Sequence, residues 1–209
     1  MGIKWIHIEG WKWVKEAALT TIHKSSIEGK EITTEWKMGI LKSEHSPIRE
    51  LSIRFKYEDI MRWIADQLVR HNVGVNNFMG TGRSDRGNKP RSEQTMEDMT
   101  VFMQSLNAQS FINEARTRLC IGCVSKETRL LMEHLVDEVS KIEPEVAFYC
   151  VPPCIYQCGC KESAFTKCNH FKKFIDANYD EGMTEVRMFD IDERYRRYHN
   201  YRSNLAYSE

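Results

Sequence analysis

This 209-residue chain has no surplus of charge of either sign: thirty lysines and arginines stand against thirty aspartates and glutamates. No global field therefore draws it toward DNA or a membrane, and an anion site would have to be a local patch. Long apolar runs are missing too, since no stretch reaches the about 18 residues needed to span a bilayer. The opening Met1-Gly2-Ile3-Lys4-Trp5 has no signal-peptide core, and Ile6 stands where an acylation signal needs Ser or Thr. The expected location is cytoplasmic. Internal repeats and low-complexity linkers are also absent, which excludes solenoids and arrays. What remains is a globular chain whose 41% hydrophobic content is enough for one domain with a small appendage.

Hydrophobic period places the elements. Ile3 to Ile8 reads as a strand, and Trp11 to Ser25 as a helix through Trp13, Val14, Ala17, Ala18 and Ile22. Leu51, Ile53, Phe55 and Tyr57 alternate with polar residues as in a half-buried strand. Ile60, Ile64 and Leu68 then adopt helical spacing, which predicts a helix ending near Arg70. Residues 72–91 read as a ligand loop, and the chain turns apolar again from Thr95 to Ser105. Helices are expected from Ala108 to Leu119, with Phe111, Ile112, Ala115 and Leu119 inward, and from Lys126 to Ile142 through Leu130, Leu131, Leu135, Val136 and Val139. Ser125 would cap the second. A strand is expected at Val186 to Ile191, followed by an aromatic and basic tail.

Two segments carry chemistry. Gln67-Leu68-Val69-Arg70-His71-Asn72 closes the amphipathic helix and leads to Gly80-Thr81-Gly82-Arg83-Ser84-Asp85-Arg86. A guanidinium offers a planar fork of donors to phosphate or a pyrimidine edge, and glycines let backbone N–H groups approach the same anion. The plainer reading is a helix C-terminus whose cations complement the dipole. The second segment is Asn107-Ala108-Gln109-Ser110-Phe111-Ile112-Asn113-Glu114-Ala115-Arg116-Thr117-Arg118.

Together these segments resemble the flavin-dependent thymidylate synthase (ThyX) family, whose signatures are RHRxxSxNExSxRY and NARSLxNFxxLR. The order matches, the Asn107 block keeps the family's internal spacing, and Glu44-His45-Ser46-Pro47 resembles the family's flavin-contacting E-T/H-x-P-F-E-H segment. The resemblance runs from about Ala17 to Cys168 and identifies the chain as a divergent member. It implies an α/β (α+β) fold, a mixed sheet with flanking helices, with the family-like domain over residues 1–170 and an extension of strand and basic, aromatic tail over 171–209. It implies FAD held by Ser46, Arg70, His71, Asn72, Asn107 and Asn113, and a nucleotide held by Gln67, Arg70, Thr81, Gly82, Arg83, Arg91 and Arg118. Arg91, sixteen residues before Asn107, resembles an arginine that another subunit contributes in the family.

The activity implied is flavin-dependent C5 methylation of a pyrimidine nucleotide, dUMP to dTMP first. Methylenetetrahydrofolate would be the one-carbon donor and NADPH the reductant, in a homo-oligomer of four chains. Arg118 would be catalytic, its guanidinium stabilising charge that develops on the ring; Arg116 reads as a surface arginine of the same helix. Five departures stand out: Asn72 replaces the signature's second arginine, Gln109 another arginine, Arg49-Glu50 a Glu-His pair, Thr81-Gly82-Arg83 supplies the hydroxyl, glycine and arginine of the ExSxRY loop only after a one-residue shift, and the segment between Arg83 and Arg91 is short. A relative that methylates or hydroxymethylates UMP or dCMP is the alternative.

Seven cysteines remain. Cys120 and Cys123 form a C-x2-C pair at a helix end, open to redox chemistry or to simple packing. Cys150, Cys154, Cys158, Cys160 and Cys168, followed by His170, could bind zinc or an iron–sulfur cluster. The spacing is not a standard pair of pairs and also resembles a cysteine-bearing stretch of the same family, so reduced structural thiols and no metal are expected. Arg194 to Arg202 interleaves cations with aromatics, as in strands that track nucleic acid. A metal-binding, nucleic-acid-associated module is therefore the rival class, although zero net charge argues against nucleic acid as a partner.

Overall fold

The computed structural model describes residues 2–24, 31–86, 89–162, 168–178 and 190–205. The chain divides into two compact units, Met1–Phe111 and Ile112–Glu209. In the first, strand β1 (Gly2–Glu9) leads into helix α1 (Trp11–Thr21), then α2 (Thr34–Lys42), a 3-10 turn (Ser46–Glu50), β2 (Ser52–Met61), α3 (Arg62–Val69), β3 (Val75–Met79), short turns at Ser84–Arg86 and Arg91–Glu93, and β4 (Met99–Asn107). Helix α4 (Ala108–Arg118) begins in this unit and ends in the second.

The α/β class and flanking helices are as expected, but the sheet is not mixed. Its order is β1-β2-β4-β3 and every pairing is antiparallel. The reason lies in α3, which carries the chain back along the sheet by about 12 Å at 1.5 Å per residue. Strand β3 therefore runs parallel to β2 but on the far side of β4, which separates the two. One end of the sheet holds the start of β2, the start of β3 and the end of β4, with Ser52 opposite Asn107 and Val75 opposite Leu106. The other end holds the start of α3 and the turns that follow β3.

Ile53, Phe55 and Tyr57 are buried as their alternation requires, and Phe55 meets Tyr57 and Phe111 edge-on at ring-centroid distances of 5.5 and 6.4 Å. Ile60 and Met61 belong to β2 rather than to the helix. The register slips between Tyr57 and Ile60, with Asp59 at φ 56°, so a bulge breaks the period of two and mimics the start of a helical one. Residues 72–91 are not all loop, because Val75–Met79 pairs with β4. On α1, Val14 and Leu19 face inward, while Trp13 is exposed, as is Ile22 just past the helix end.

The second unit contains the rest of α4, then α5 (Lys126–Ser140), α6 (Pro144–Phe148), α7 (Pro153–Tyr156), α8 (His170–Asn178) and α9 (Ile191–Leu205). Ser125 caps α5 as expected, its hydroxyl accepting the Thr128 N–H at 3.2 Å. The buried stripe of α5 is Thr128, Leu131, Met132, Leu135, Val136 and Val139; Leu130 lies off that stripe and is exposed. Ile191 starts α9, Asp190 before it is not in a strand, and residues 186–189 of the strand expected there lie outside the described residues. The aromatic tail is internal: Tyr195 packs against Phe148 and Tyr149, and Tyr198 against Phe174. Arg194 is buried and donates from Nε to the Ile155 carbonyl at 2.7 Å. These two rings and this guanidinium are spent on the core and cannot stack bases.

Candidate functional site

The three matched segments meet at one end of the first unit's sheet. The turn carrying Ser46 leads directly into β2, whose first residue faces Asn107, and the Ala108 N–H donates to the Leu51 carbonyl at 2.9 Å. The loop after α3 reaches the same end. Its Val73 carbonyl accepts the Ser110 hydroxyl at 2.9 Å, and the His71 carbonyl accepts the Asn77 side-chain amide at 3.3 Å. Gly74 closes the contact: at φ 70° its missing Cβ would lie 2.5 Å from Ser110 Oγ and 3.1 Å from Asn107 Nδ2. Only glycine allows that approach. Asn107 Oδ1 accepts the Ser110 N–H at 2.9 Å, capping α4 and fixing its own amide. Ser46, Arg70 and Asn72 are exposed around this corner, with His71 half-buried.

Two of the departures from the family pattern meet here. Arg49 Nε donates to Gln109 Oε1 at 2.5 Å. The cation missing at position 109 is thus supplied beside it from the Ser46–Glu50 turn.

At the opposite end of the sheet, Thr81, Gly82, Arg83 and Arg91 line one cavity of about 410 Å³ together with Arg62, Ser84, Asp85 and Gln94. Arg91 reaches this cavity from its own chain. The connection from Arg83 to Arg91 is short, and Gln94 folds it back by donating to the Gly82 and Lys89 carbonyls at 2.6 and 3.0 Å. Arg83 forms a two-point pair with Asp85 at 2.9 and 2.7 Å, which raises the pKa of its guanidinium and lowers that of the Asp85 carboxyl. Arg62 and Gln94 escaped the sequence reading, and Ser84 was read only as part of the loop. Arg62 stood at the head of an apolar helix with no motif around it. Gln67 and Arg70 do not line this cavity; they lie further along α3, which spans the two ends.

In the second unit, Asn113 is exposed and Arg118 half-buried on α4. Arg116 is not a surface arginine. It is 6% exposed, its guanidinium lies 3.7 Å from the Tyr156 ring centre, and it donates to Asn113 Oδ1 at 3.3 Å. A cation that stacks on an aromatic face can be buried on the core side of an amphipathic helix, which the helical period alone does not reveal.

Cys120, Cys154, Cys160, Cys168 and His170 line a cavity of about 450 Å³ in the same unit. Cys154 Sγ lies 3.5 Å from His170 Nδ1. Among the described residues, no group of three or more His, Cys, Asp or Glu is arranged to hold a metal ion. Burial pushes the Cys154 and Cys150 thiols up to about 12; Cys123 is exposed, and partial desolvation with Cys120 and Glu162 alongside raises its thiol as well. Such thiols carry little thiolate at neutral pH and make poor nucleophiles.

No protein-family model and no curated protein matches the chain. Solved structures do. The flavin-dependent thymidylate synthase ThyX from Helicobacter pylori, complexed with FAD and dUMP, superposes with a TM-score of 0.56 at 16% identity, over 72% of this chain and all of that one. The UMP/dUMP methylase PolB from Streptomyces cacaoi, bound with 5-Br dUMP, gives 0.54 at 12% identity, over 71% and 97%. This chain has the fold that those two enzymes share.

Proposed function

We propose that this chain is a flavin-dependent enzyme that methylates C5 of a pyrimidine nucleotide, dUMP foremost, with methylenetetrahydrofolate as donor. The observation that carries the reading is the meeting of three distant segments, around Ser46, Arg70-His71-Asn72 and Asn107, at one end of one sheet. Each matches a flavin-contacting segment of the family that the sequence resembles. The corner fits an anionic cofactor: Arg70 and Arg49 place cations there, and the Gly74 contact holds the loop against α4. Ser46, Arg70, His71, Asn72, Asn107 and Asn113 would hold FAD. When bound, FAD supplies the hydride that completes the methyl group, with NADPH restoring it.

The chain's own residues then position and polarise the nucleotide. Thr81, Gly82, Arg83 and Arg91 receive its phosphate, Gln67 and Arg70 take its base edge, and Arg118 stabilises negative charge on the ring so that C5 becomes nucleophilic. No cysteine is needed, in keeping with thiols whose pKa values are raised. The expected assembly is a homotetramer, supported by exposed Phe78, Met99 and Val101 on the sheet and measurable by light scattering.

The test is titration with FAD followed by product analysis from dUMP, UMP, dCMP and CMP, with methylenetetrahydrofolate and reductant. Asn72→Arg should tighten FAD, since a charge-assisted hydrogen bond contributes about 1.5–3 kcal/mol. Absence of FAD binding to either form would remove the proposal. Product from UMP or dCMP rather than dUMP would favour the alternative substrate.

A further inference from the structure

Arg62 opens α3 with its main chain already committed: its N–H donates to the Asp98 carbonyl at 2.9 Å, and that of Trp63 to Met96 at 3.1 Å. What this helix start offers the cavity of Thr81, Arg83 and Arg91 is therefore the guanidinium. Its Nε is buried without a hydrogen-bond partner, and among the described residues no carboxylate neutralises it. Arg83, by contrast, is held on two points by Asp85. Gly82 explains how Arg62 comes so close to the loop. A Cβ there would stand 3.3 and 3.5 Å from the two terminal nitrogens of Arg62 and 2.5 Å from Gln94 Oε1.

We infer that Arg62 is a phosphate-binding residue of this cavity and the anchor for the 5′-phosphate monoester of the nucleotide, with Arg83 joining only when it releases Asp85. The inference rests on the pyrimidine-nucleotide reading above and assigns that site a residue which the sequence match does not contain. Three arginines against one aspartate leave the cavity doubly positive, which suits a phosphomonoester dianion and gives no purchase to the unphosphorylated nucleoside. Orientation follows from α3. Arg62 marks its phosphate end, and Gln67 and Arg70, the matched nucleotide-binding positions, lie toward its far end, about 12 Å of helix in all. The Asp85 carboxylate acts as a resident competitor for the same guanidinium, so binding exchanges one anion for another.

The experiment is calorimetric titration of the full-length chain with dUMP, with deoxyuridine and with inorganic phosphate, for the parent, Arg62→Gln, Arg62→Lys and Asp85→Asn, with FAD affinity and melting temperature read alongside. Arg62→Gln should weaken dUMP by about tenfold or more, the range for a lost charge-assisted contact. Deoxyuridine, FAD affinity and melting should stay unchanged, and Arg62→Lys should recover part of the loss. Asp85→Asn should tighten dUMP by freeing Arg83. Unaltered dUMP affinity in Arg62→Gln, or equal weakening of dUMP and deoxyuridine, overturns the assignment of Arg62 while leaving the nucleotide reading intact. A parent protein that binds no pyrimidine nucleotide and no inorganic phosphate overturns both.

Discussion

Arg116 and Arg118 stand two residues apart on α4 and do different work. The first is buried over Tyr156 and holds Asn113, whereas the second is half-buried on another side of the helix. Arg116→Lys keeps the charge but loses the flat stack and the bond to Asn113, so it should lower stability by about 1–2 kcal/mol in denaturant titrations. Arg118→Lys should leave stability intact and lower turnover by about 100-fold, the range for one preorganised donor. Equal loss of turnover in both, with equal stability, would sink the division of roles. The Arg49–Gln109 contact makes a second case. Arg49→Gln should weaken FAD, and adding Gln109→Arg should restore it, because the cation then returns to the same corner from the other partner. If the double variant binds FAD no better than the single one, the two positions are not exchanging a charge. Residue types and order disclosed the flavin and nucleotide candidates. Which arginine was buried could not be read from them, because a helical period assigns a face, not the aromatic ring that waits on it.

At the scale of elements, the contact between the α3 loop and the start of α4 depends on one glycine. Gly74→Ala would force a Cβ to 2.5 Å from Ser110 Oγ at a positive φ, and should cost about 1–3 kcal/mol and loosen FAD with it. Gly39 is the matched control, since it lies within α2 and a Cβ there meets nothing within 4 Å. Gly39→Ala should stabilise, by up to about 1 kcal/mol, through helix propensity alone. Chemical denaturation of both variants checks the opposite signs; a neutral Gly74→Ala would show that the loop is not held there. The inward stripe of α4 and the Ser125 cap of α5 were legible in advance, and so was the α5 stripe apart from Leu130; the Asn107 cap of α4 was not. The end of β2 was not, because its bulge moves burial from Tyr57 to Ile60 across two residues and so imitates a helical step.

For the molecule as a whole, the second unit should confer acid sensitivity. Burial pulls His170 down to about 4, with Arg129 and Lys173 acting in the same direction, and Cys154 lies against its ring. Its unfolded value is near 6.5, so the stabilisation is present above that pH and is lost as pH falls from 6.5 toward 4, where the unfolded chain takes up a proton that the folded one refuses. The slope contributed is at most about 1.4 kcal/mol per pH unit. Urea titrations across this window should show it in the parent and a flatter dependence in His170→Phe; identical slopes would refute it. The sequence by itself determined the Ser125 cap of α5 and the inward stripe of α4, which depend on local period and residue chemistry, and its resemblance to a known family implied the α/β class and the order of the segments matched to flavin and nucleotide. Only the tertiary structure decided that β4 separates β2 from β3, that Arg91 folds back beside Arg83, that Arg62 joins them and that the aromatic tail faces inward. Each of those depends on which distant segments share a surface, and pairings at long separation leave no periodic trace in the chain.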